Sequence, residues 1–170
     1  MEQTLLLMDS LRCEQLWRRH ADRLLLYATT VLSDRAAAED VLQNVFVRLM
    51  ASPPEDLSSE AGYLFRAVRN EALNSIRSRR LAARAFSPLF DDVAEDPRES
   101  AELRERGKQV ELVLLRISPE EREAVVLKIW GDLSIPEAAA VAGVSEKTFE
   151  HRYYRGLAAL KEKLGGLDHD

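Results

Sequence analysis

The chain of 170 residues has few of the residues that end helices or cross-link a fold. It contains one cysteine, Cys13, and residues 10–52 contain no glycine or proline. A single cysteine cannot form an internal disulfide, so the sequence favours a protein of the reducing cytoplasm. The three histidines are too scattered for a metal site: His20, His151 and His169. Neither a metal nor another cofactor is predicted.

Long apolar runs are also missing. No uninterrupted stretch approaches the roughly 18 apolar residues that would suggest a membrane-spanning helix. The apolar residues 5–8 follow Glu2 and precede Asp9, so they lack the basic flank and the length of a signal peptide. The sequence therefore predicts a soluble, cytoplasmic protein with no membrane insertion.

Residues that favour β-structure are sparse. Leu and Ala together number 47, whereas Val, Ile and Thr together number 20. This composition favours helices. With 46% hydrophobic and 31% charged residues, the chain is apolar enough to form a core and too apolar for global disorder. The sequence predicts an all-α fold, and the length fits one mid-sized domain or two small ones.

The net charge of −5 is distributed unevenly along the chain. Residues 60–84 carry six Arg against two Glu, and residues 145–163 have a net charge of +2. Between them, residues 86–106 carry seven acids against three Arg. These two basic segments of an acidic chain are the parts best suited to bind a nucleic acid.

Three helices are predicted in the first domain, residues 1–83. The first covers about 10–32, the second follows the capping residues Ser33 and Asp34, and the third starts near Ser59 after a proline-rich loop. An acidic linker, 84–106, is predicted to follow. The expected inward face of the first helix is Leu11, Leu16 or Trp17, Leu24, Ala28 and Val31, and that of the second is Val41, Leu42, Val45, Phe46 and Leu49. The third is expected to bury Ala61, Leu64, Val68, Ala72 and Ile76.

A helix-turn-helix is predicted in the second domain, residues 107–170. Ser118 and Pro119 begin one helix, Ser134 begins a short one, and Gly143 separates it from a last helix that begins at Ser145. Such a motif inserts its last helix into the DNA major groove. A plain three-helix packing module is the alternative. The last helix is expected to bury Phe149, Tyr153, Leu157, Leu160 and Leu164, and to present Lys147, Glu150, His151 and Arg155, with Arg152 and Arg155 able to hold phosphates.

The third helix combines arginines and asparagines on its outward face. Arginine neutralises phosphate, asparagine pairs with base edges, and the nearby aromatics Tyr63 and Phe65 could receive unstacked bases. A solvated basic face, with the aromatics in the core, is an equally weighted alternative. The outward residues are Arg66, Arg69, Asn70, Asn74, Arg77 and Arg80.

Three segments together resemble the extracytoplasmic-function (ECF) sigma factors of bacterial RNA polymerase. Residues 38–46 (AEDVLQNVF) resemble the family's acidic second helix, residues 63–77 (YLFRAVRNEALNSIR) its −10 promoter helix, and residues 145–157 (SEKTFEHRYYRGL) its −35 recognition helix. The order of the motifs is that of the family. The resemblance extends from about residue 10 to 164.

The resemblance implies partners and site residues. Core RNA polymerase would be bound through the clamp coiled coil of its largest subunit, and promoter DNA at two elements. An anti-sigma factor is also implied, and the acidic linker would run through the polymerase towards the RNA path. The implied polymerase-binding residues are Asp34, Glu39, Asp40 and Gln43. The implied −10 residues are Arg66, Arg69, Asn70, Asn74, Arg77 and Arg80, with the loop 56–59, and the −35 residues are Lys147, Thr148, Glu150, His151, Arg152 and Arg155.

Some positions depart from the family pattern, and other functions are weighed beside it. Asn74 stands where an acid is common, His151 where a small hydroxyl residue is common, and residues 138–139 are Ala-Ala instead of Ile-Ala. A stand-alone helix-turn-helix regulator and a sigma-like decoy for a regulatory partner are the alternatives. No catalytic residues are predicted, because no nucleophile, base and orienting group or Gly-rich phosphate loop is visible.

Overall fold

The computed structural model describes the backbone of residues 2–54, 58–85 and 114–165 and the side chains of 11–54, 58–82 and 114–162. Every regular element in these ranges is a helix, and the chain divides into two units, 1–88 and 89–170. The predicted all-α class is confirmed. The predicted linker lies almost entirely outside the described residues.

The first unit contains α1 (Glu2–Leu32), α2 (Arg35–Ala51) and α3 (Glu60–Ala85), and each packs against the other two. Aromatic edges join the helices: the ring centroids of Tyr27 and Phe65 are 5.3 Å apart, and those of Trp17 and Phe46 are 4.8 Å apart. The expected inward face of α2 is buried in full. Along α3, Leu64, Val68 and Ala72 are buried, and Ala61 and Ile76 are half-buried.

The prediction for α1 was wrong in two respects. The helix begins at Glu2, not near residue 10, because nothing in residues 2–10 breaks a helix. Leu11 is 58% exposed. The buried positions follow the helical repeat of three and four residues, and Leu11 lies outside that stripe. They are Cys13, Leu16, His20, Leu24, Tyr27, Ala28 and Thr29. The predicted Leu16, Leu24 and Ala28 are therefore confirmed, whereas Trp17 is exposed and Val31 is half-buried.

Capping side chains begin the helices where the sequence predicted them. Asp34 Oδ1 accepts a hydrogen bond of 3.0 Å from the Ala37 N–H at the start of α2. Ser59 Oγ accepts one of 3.2 Å from the Gly62 N–H at the start of α3. Each cap satisfies a backbone donor that has no partner within its own helix.

The second unit contains α4 (Pro119–Ile129), α5 (Ile135–Ala142) and α6 (Glu146–Gly165). Ser118 caps α4, and Ser134 and Glu137 form a reciprocal capping box on α5. Gly143 has φ 70° and ψ 34°, a left-handed conformation that turns the chain into α6 at little steric cost. The predicted helix-turn-helix is confirmed.

The packing of α6 follows the prediction in part. Phe149 is fully buried, whereas Tyr153, Leu157 and Leu160 are half-buried. The side chain of Leu164 lies outside the described residues. Gly156 is buried against α4, which no local pattern in the sequence predicts.

A buried arginine connects α4 to the segment before it. Arg122 is 7% exposed, and its guanidinium donates hydrogen bonds to the carbonyls of Leu114 (2.8 Å), Ile117 (3.2 Å) and Leu115 (3.4 Å). Burial lowers the pKa of Arg122. The side chain therefore supplies donors to carbonyls that would otherwise have to be solvated.

Candidate polymerase and nucleic-acid interfaces

The outward face of α2 is acidic in its first half and apolar in its second. Asp40 and Gln43 are exposed, and Glu39 is partly exposed and accepts a 3.3 Å hydrogen bond from Arg35 Nε. On the same face lie Val47, 59% exposed, and Met50, 52% exposed. Sequence reasoning missed both, although their separations of seven and ten residues from Asp40 place them on its side of the helix.

Both carboxylate oxygens of Asp34 accept hydrogen bonds from other residues of the chain. Oδ1 caps α2, and Oδ2 lies 2.9 Å from the Nη1 of Arg79 on α3. The backbone N–H of Ala37 and then the Arg79 guanidinium hold the pKa of Asp34 below its ordinary value. Asp34 therefore joins α2 to α3, unlike the more open carboxylates of Glu39 and Asp40.

The outward face of α3 is basic and rich in amides. Arg69 is half-exposed and has a partner within the chain. Phe65 is fully buried, so it belongs to the core, whereas Tyr63 remains exposed beside the polar residues. The remaining predicted residues of this face are exposed: Arg66, Asn70, Asn74, Arg77 and Arg80.

A groove of about 400 Å³ separates this face from α2. Tyr63, Asn70 and Asn74 line its α3 side. Within it, Arg48 of α2 forms an ion pair with Glu71 of α3. The other oxygen of Glu71 accepts a 3.4 Å hydrogen bond from Asn44 Nδ2. The groove thus combines the ring of Tyr63 and the amides of Asn70 and Asn74 with an ion pair.

The outward face of α6 carries most of the predicted −35 residues. Lys147, Glu150 and His151 are exposed, and Arg152 is half-buried. Thr148 is exposed, and its Oγ1 lies 2.8 Å from the Oγ of Ser145.

Two features of α6 escaped the sequence analysis. Tyr154 is 64% exposed, seven residues after Lys147 and three after His151, and so lies on the same face as both. Arg155 is exposed, but its Nε lies 3.1 Å from Oε1 of Glu121, a largely buried carboxylate on α4. Two adjacent tyrosines at 153 and 154 cannot both face the core, and this could have indicated that Tyr154 is exposed. No local feature of the sequence predicts the ion pair between Arg155 and Glu121.

Neither a metal cluster nor a membrane span occurs in the described parts of the chain. No three His, Cys, Asp or Glu side chains there are grouped to hold an ion. No helix in those parts is long and apolar enough to cross a bilayer.

Comparisons with known proteins agree with this arrangement. The Sigma-70 region 2 family matches residues 16–82, and the Sigma-70 region 4 family matches residues 107–160. The chain is 31% identical over 168 residues to the RNA polymerase sigma-E factor of Streptomyces coelicolor, covering 95% of this chain and 91% of that protein.

Two solved structures are similar in fold. One is the sigma factor RpoE in complex with the anti-sigma factor NepR from Bartonella quintana, with a TM-score of 0.65 and 24% identity over 89% of this chain and 96% of that one. The other is CnrH in complex with the cytosolic domain of CnrY, with a TM-score of 0.61 and 28% identity over 91% of this chain and 88% of that one.

The chain therefore belongs to the extracytoplasmic-function sigma factors of bacterial RNA polymerase. It is an initiation factor and not an enzyme. It binds core RNA polymerase, recognises the −10 and −35 promoter elements and helps to nucleate promoter melting. A match to both sigma regions also excludes the stand-alone regulator, which would have no use for region 2.

Proposed function

We propose that three separate helix faces divide the work of this sigma factor. In residues 1–83, α2 docks on the clamp coiled coil of the largest polymerase subunit and α3 holds the opened −10 strand. In residues 107–170, α6 reads the −35 duplex. Residues 84–106 connect the two domains as an acidic linker.

The observation that carries the proposal is that the first unit has an acidic face on α2 and a basic face on α3. A protein that only bound DNA would gain nothing from the exposed Asp40 and the partly exposed Glu39 on the helix that packs against α3. These acids need a basic protein partner. Val47 and Met50 add an apolar contact beside the charges, the usual combination in the centre and rim of a protein interface. Asp34 contributes indirectly by capping α2.

The face of α3 has the chemistry of a single-strand site. Arg66 and Arg77 are exposed to neutralise phosphates, and Asn70 and Asn74 can pair with base edges in the groove. Tyr63 at the rim offers a ring on which an unpaired base can stack. An open groove beside stacking and pairing groups favours an extruded base over a paired one, which offsets part of the cost of unstacking.

The face of α6 has the chemistry of a duplex site. Lys147, His151 and Tyr154 follow one another along the exposed side of the helix that succeeds the Gly143 turn. Thr148, Arg152 and Arg155 flank them and are suited to phosphates. Each basic surface is small in a chain with a net charge of −5. We therefore expect weak DNA binding by the free protein and strong binding only with core polymerase.

A regulatory partner and a cellular location complete the proposal. The complexes of RpoE with NepR and of CnrH with CnrY support an anti-sigma factor as a partner of this chain. Because it acts on RNA polymerase, we place the protein in the cytoplasm.

Charge reversal on α2 tests the proposal. In the Glu39→Lys/Asp40→Lys variant, we expect affinity for core polymerase to fall by about tenfold or more, because like charges then face each other across the interface. Asp22→Lys, on the exposed side of α1, is the control and should retain core binding. Unchanged affinity in the double variant, with an unchanged helical spectrum, would remove the clamp-docking assignment.

A further inference from the structure

Glu150 is an unusual residue for the place it occupies. It lies in the second turn of α6, three residues after Lys147 and one before His151, and all three are exposed. Within the described part of the chain, no ion pair or hydrogen bond engages its carboxylate, and the other acid nearby on α6 is the exposed Glu146. A free carboxylate therefore stands on the face that the proposed function turns towards DNA.

A carboxylate in the major groove is selective because phosphates and most base edges present negative charge or hydrogen-bond acceptors to it. The phosphates are negative, and a carboxylate only accepts hydrogen bonds. In the major groove, guanine presents the acceptors N7 and O6 and thymine presents the acceptor O4. Adenine has a donor at N6, but the acceptor N7 lies beside it. Cytosine alone offers its N4 amino donor without an acceptor on the same edge.

We propose that Glu150 is a specificity-determining residue that selects a cytosine in the −35 duplex. This inference rests on the proposed function, since it requires α6 to lie in the major groove. Glu150 favours cytosine by accepting from its amino group, and disfavours thymine at the same position because two acceptors would face each other. Lys147 and His151 supply the donors for neighbouring bases, so the recognised sequence combines a cytosine with bases that present acceptors, guanine above all.

The substitution Glu150→Gln gives a directed test, because glutamine pairs with the N6 and N7 of adenine. We would take a promoter that the holoenzyme uses, randomise its −35 base pairs, transcribe the pool with core polymerase and the full chain, and sequence the transcribed templates. The control is Glu162→Gln, an exposed glutamate three turns further along the same helix. Thermal melts of each variant establish that folding is unchanged.

With the native chain, we expect cytosine over thymine at one −35 position by about fivefold or more. The Glu150→Gln variant should transfer the preference at that position to adenine, and Glu162→Gln should leave it at cytosine. If native and Glu150→Gln chains select the same bases, while Lys147→Ala still lowers transcription, Glu150 does not determine specificity although α6 reads the duplex. If neither randomisation nor Lys147→Ala changes transcription, the −35 assignment of α6 fails, and the inference fails with it.

Discussion

The close contact of α4 with α6 can be tested at Gly156. A Cβ atom added there would lie 2.7 Å from Val125 Cγ2 and 3.0 Å from the backbone carbonyl oxygen of Glu121. Attractive contacts between carbon atoms have their optimum at about 3.5–4.0 Å, so the first approach is a clash. Val125 is fully buried and has a stiff branched side chain, and the Glu121 oxygen is part of a helix backbone. Neither can move away easily.

Two opposing effects decide the outcome of Gly156→Ala. In an exposed helix, alanine is favoured over glycine by about 1 kcal/mol. Overpacking a well-filled core costs about 1–3 kcal/mol. We expect the second effect to exceed the first, so that Gly156→Ala destabilises the second unit by about 1 kcal/mol. It should also weaken −35 recognition, because α6 carries the exposed Lys147 and His151 and would be displaced.

Fluorescence can follow the second unit alone, because each unit holds one of the two tryptophans, Trp17 and Trp130. In a Trp17→Phe background, denaturant titration reports the free energy of unfolding around Trp130. Val125→Ala should relieve the clash and show coupling with Gly156→Ala of about 0.5–3 kcal/mol. Stabilisation by Gly156→Ala, or strict additivity with Val125→Ala, would refute the close packing of these helices.

Two further substitutions test the hydrogen bonds of buried Arg122 and the ion pair between Asp34 and Arg79. Arg122→Met should destabilise the second unit by about 2–4 kcal/mol, since it removes the buried guanidinium that donates to the carbonyls of Leu114 and Ile117. Leu114 then keeps only the 3.3 Å bond from the Ile117 N–H. The exposed Arg116→Met is the control, and an equal, small loss in both variants would contradict this role. Asp34→Asn keeps a good helix cap but removes the charge that Arg79 pairs with. Folding lowers the pKa of Asp34 from its ordinary value of 3.8. The charged carboxylate therefore contributes its full stabilisation of the fold at pH values above 3.8. The stability difference between the native chain and Asp34→Asn should disappear as the pH falls through the lowered pKa of the folded state. Denaturant titrations from neutral to acidic pH measure this difference, and a constant difference would count against the ion pair.

Local signals in the sequence were sufficient for most of the fold. The caps at Asp34 and Ser134 and the turn at Gly143 depend on residues within a few positions of each other, so their chemistry can be predicted without tertiary structure. The inward face of α2 followed from its helical repeat. The repeat of α1 correctly predicted buried Leu24 and Ala28, and of the alternatives Leu16 and Trp17 the buried one is Leu16, but it wrongly included Leu11. Apolar residues surround much of that helix, so the repeat alone does not show where the buried face begins.

The candidate interfaces depend more on contacts between distant residues. The pairs Arg48–Glu71 and Arg155–Glu121 join different helices, and no sequence spacing predicts them. Val47, Met50 and Tyr154 were missed for another reason. An apolar or aromatic residue is usually assigned to the core, and only the packing shows that these three remain on exposed faces.

Run-off transcription tests the central claim most directly: that this chain directs core polymerase to promoters through an acidic docking face and two DNA-binding faces. Purified core polymerase would be incubated with genomic fragments, with and without the chain, and transcript starts mapped. We expect new start sites that require the chain and share both a −35 and a −10 sequence. Transcripts that are identical with and without the chain, in the absence of any inhibitor, would contradict the claim.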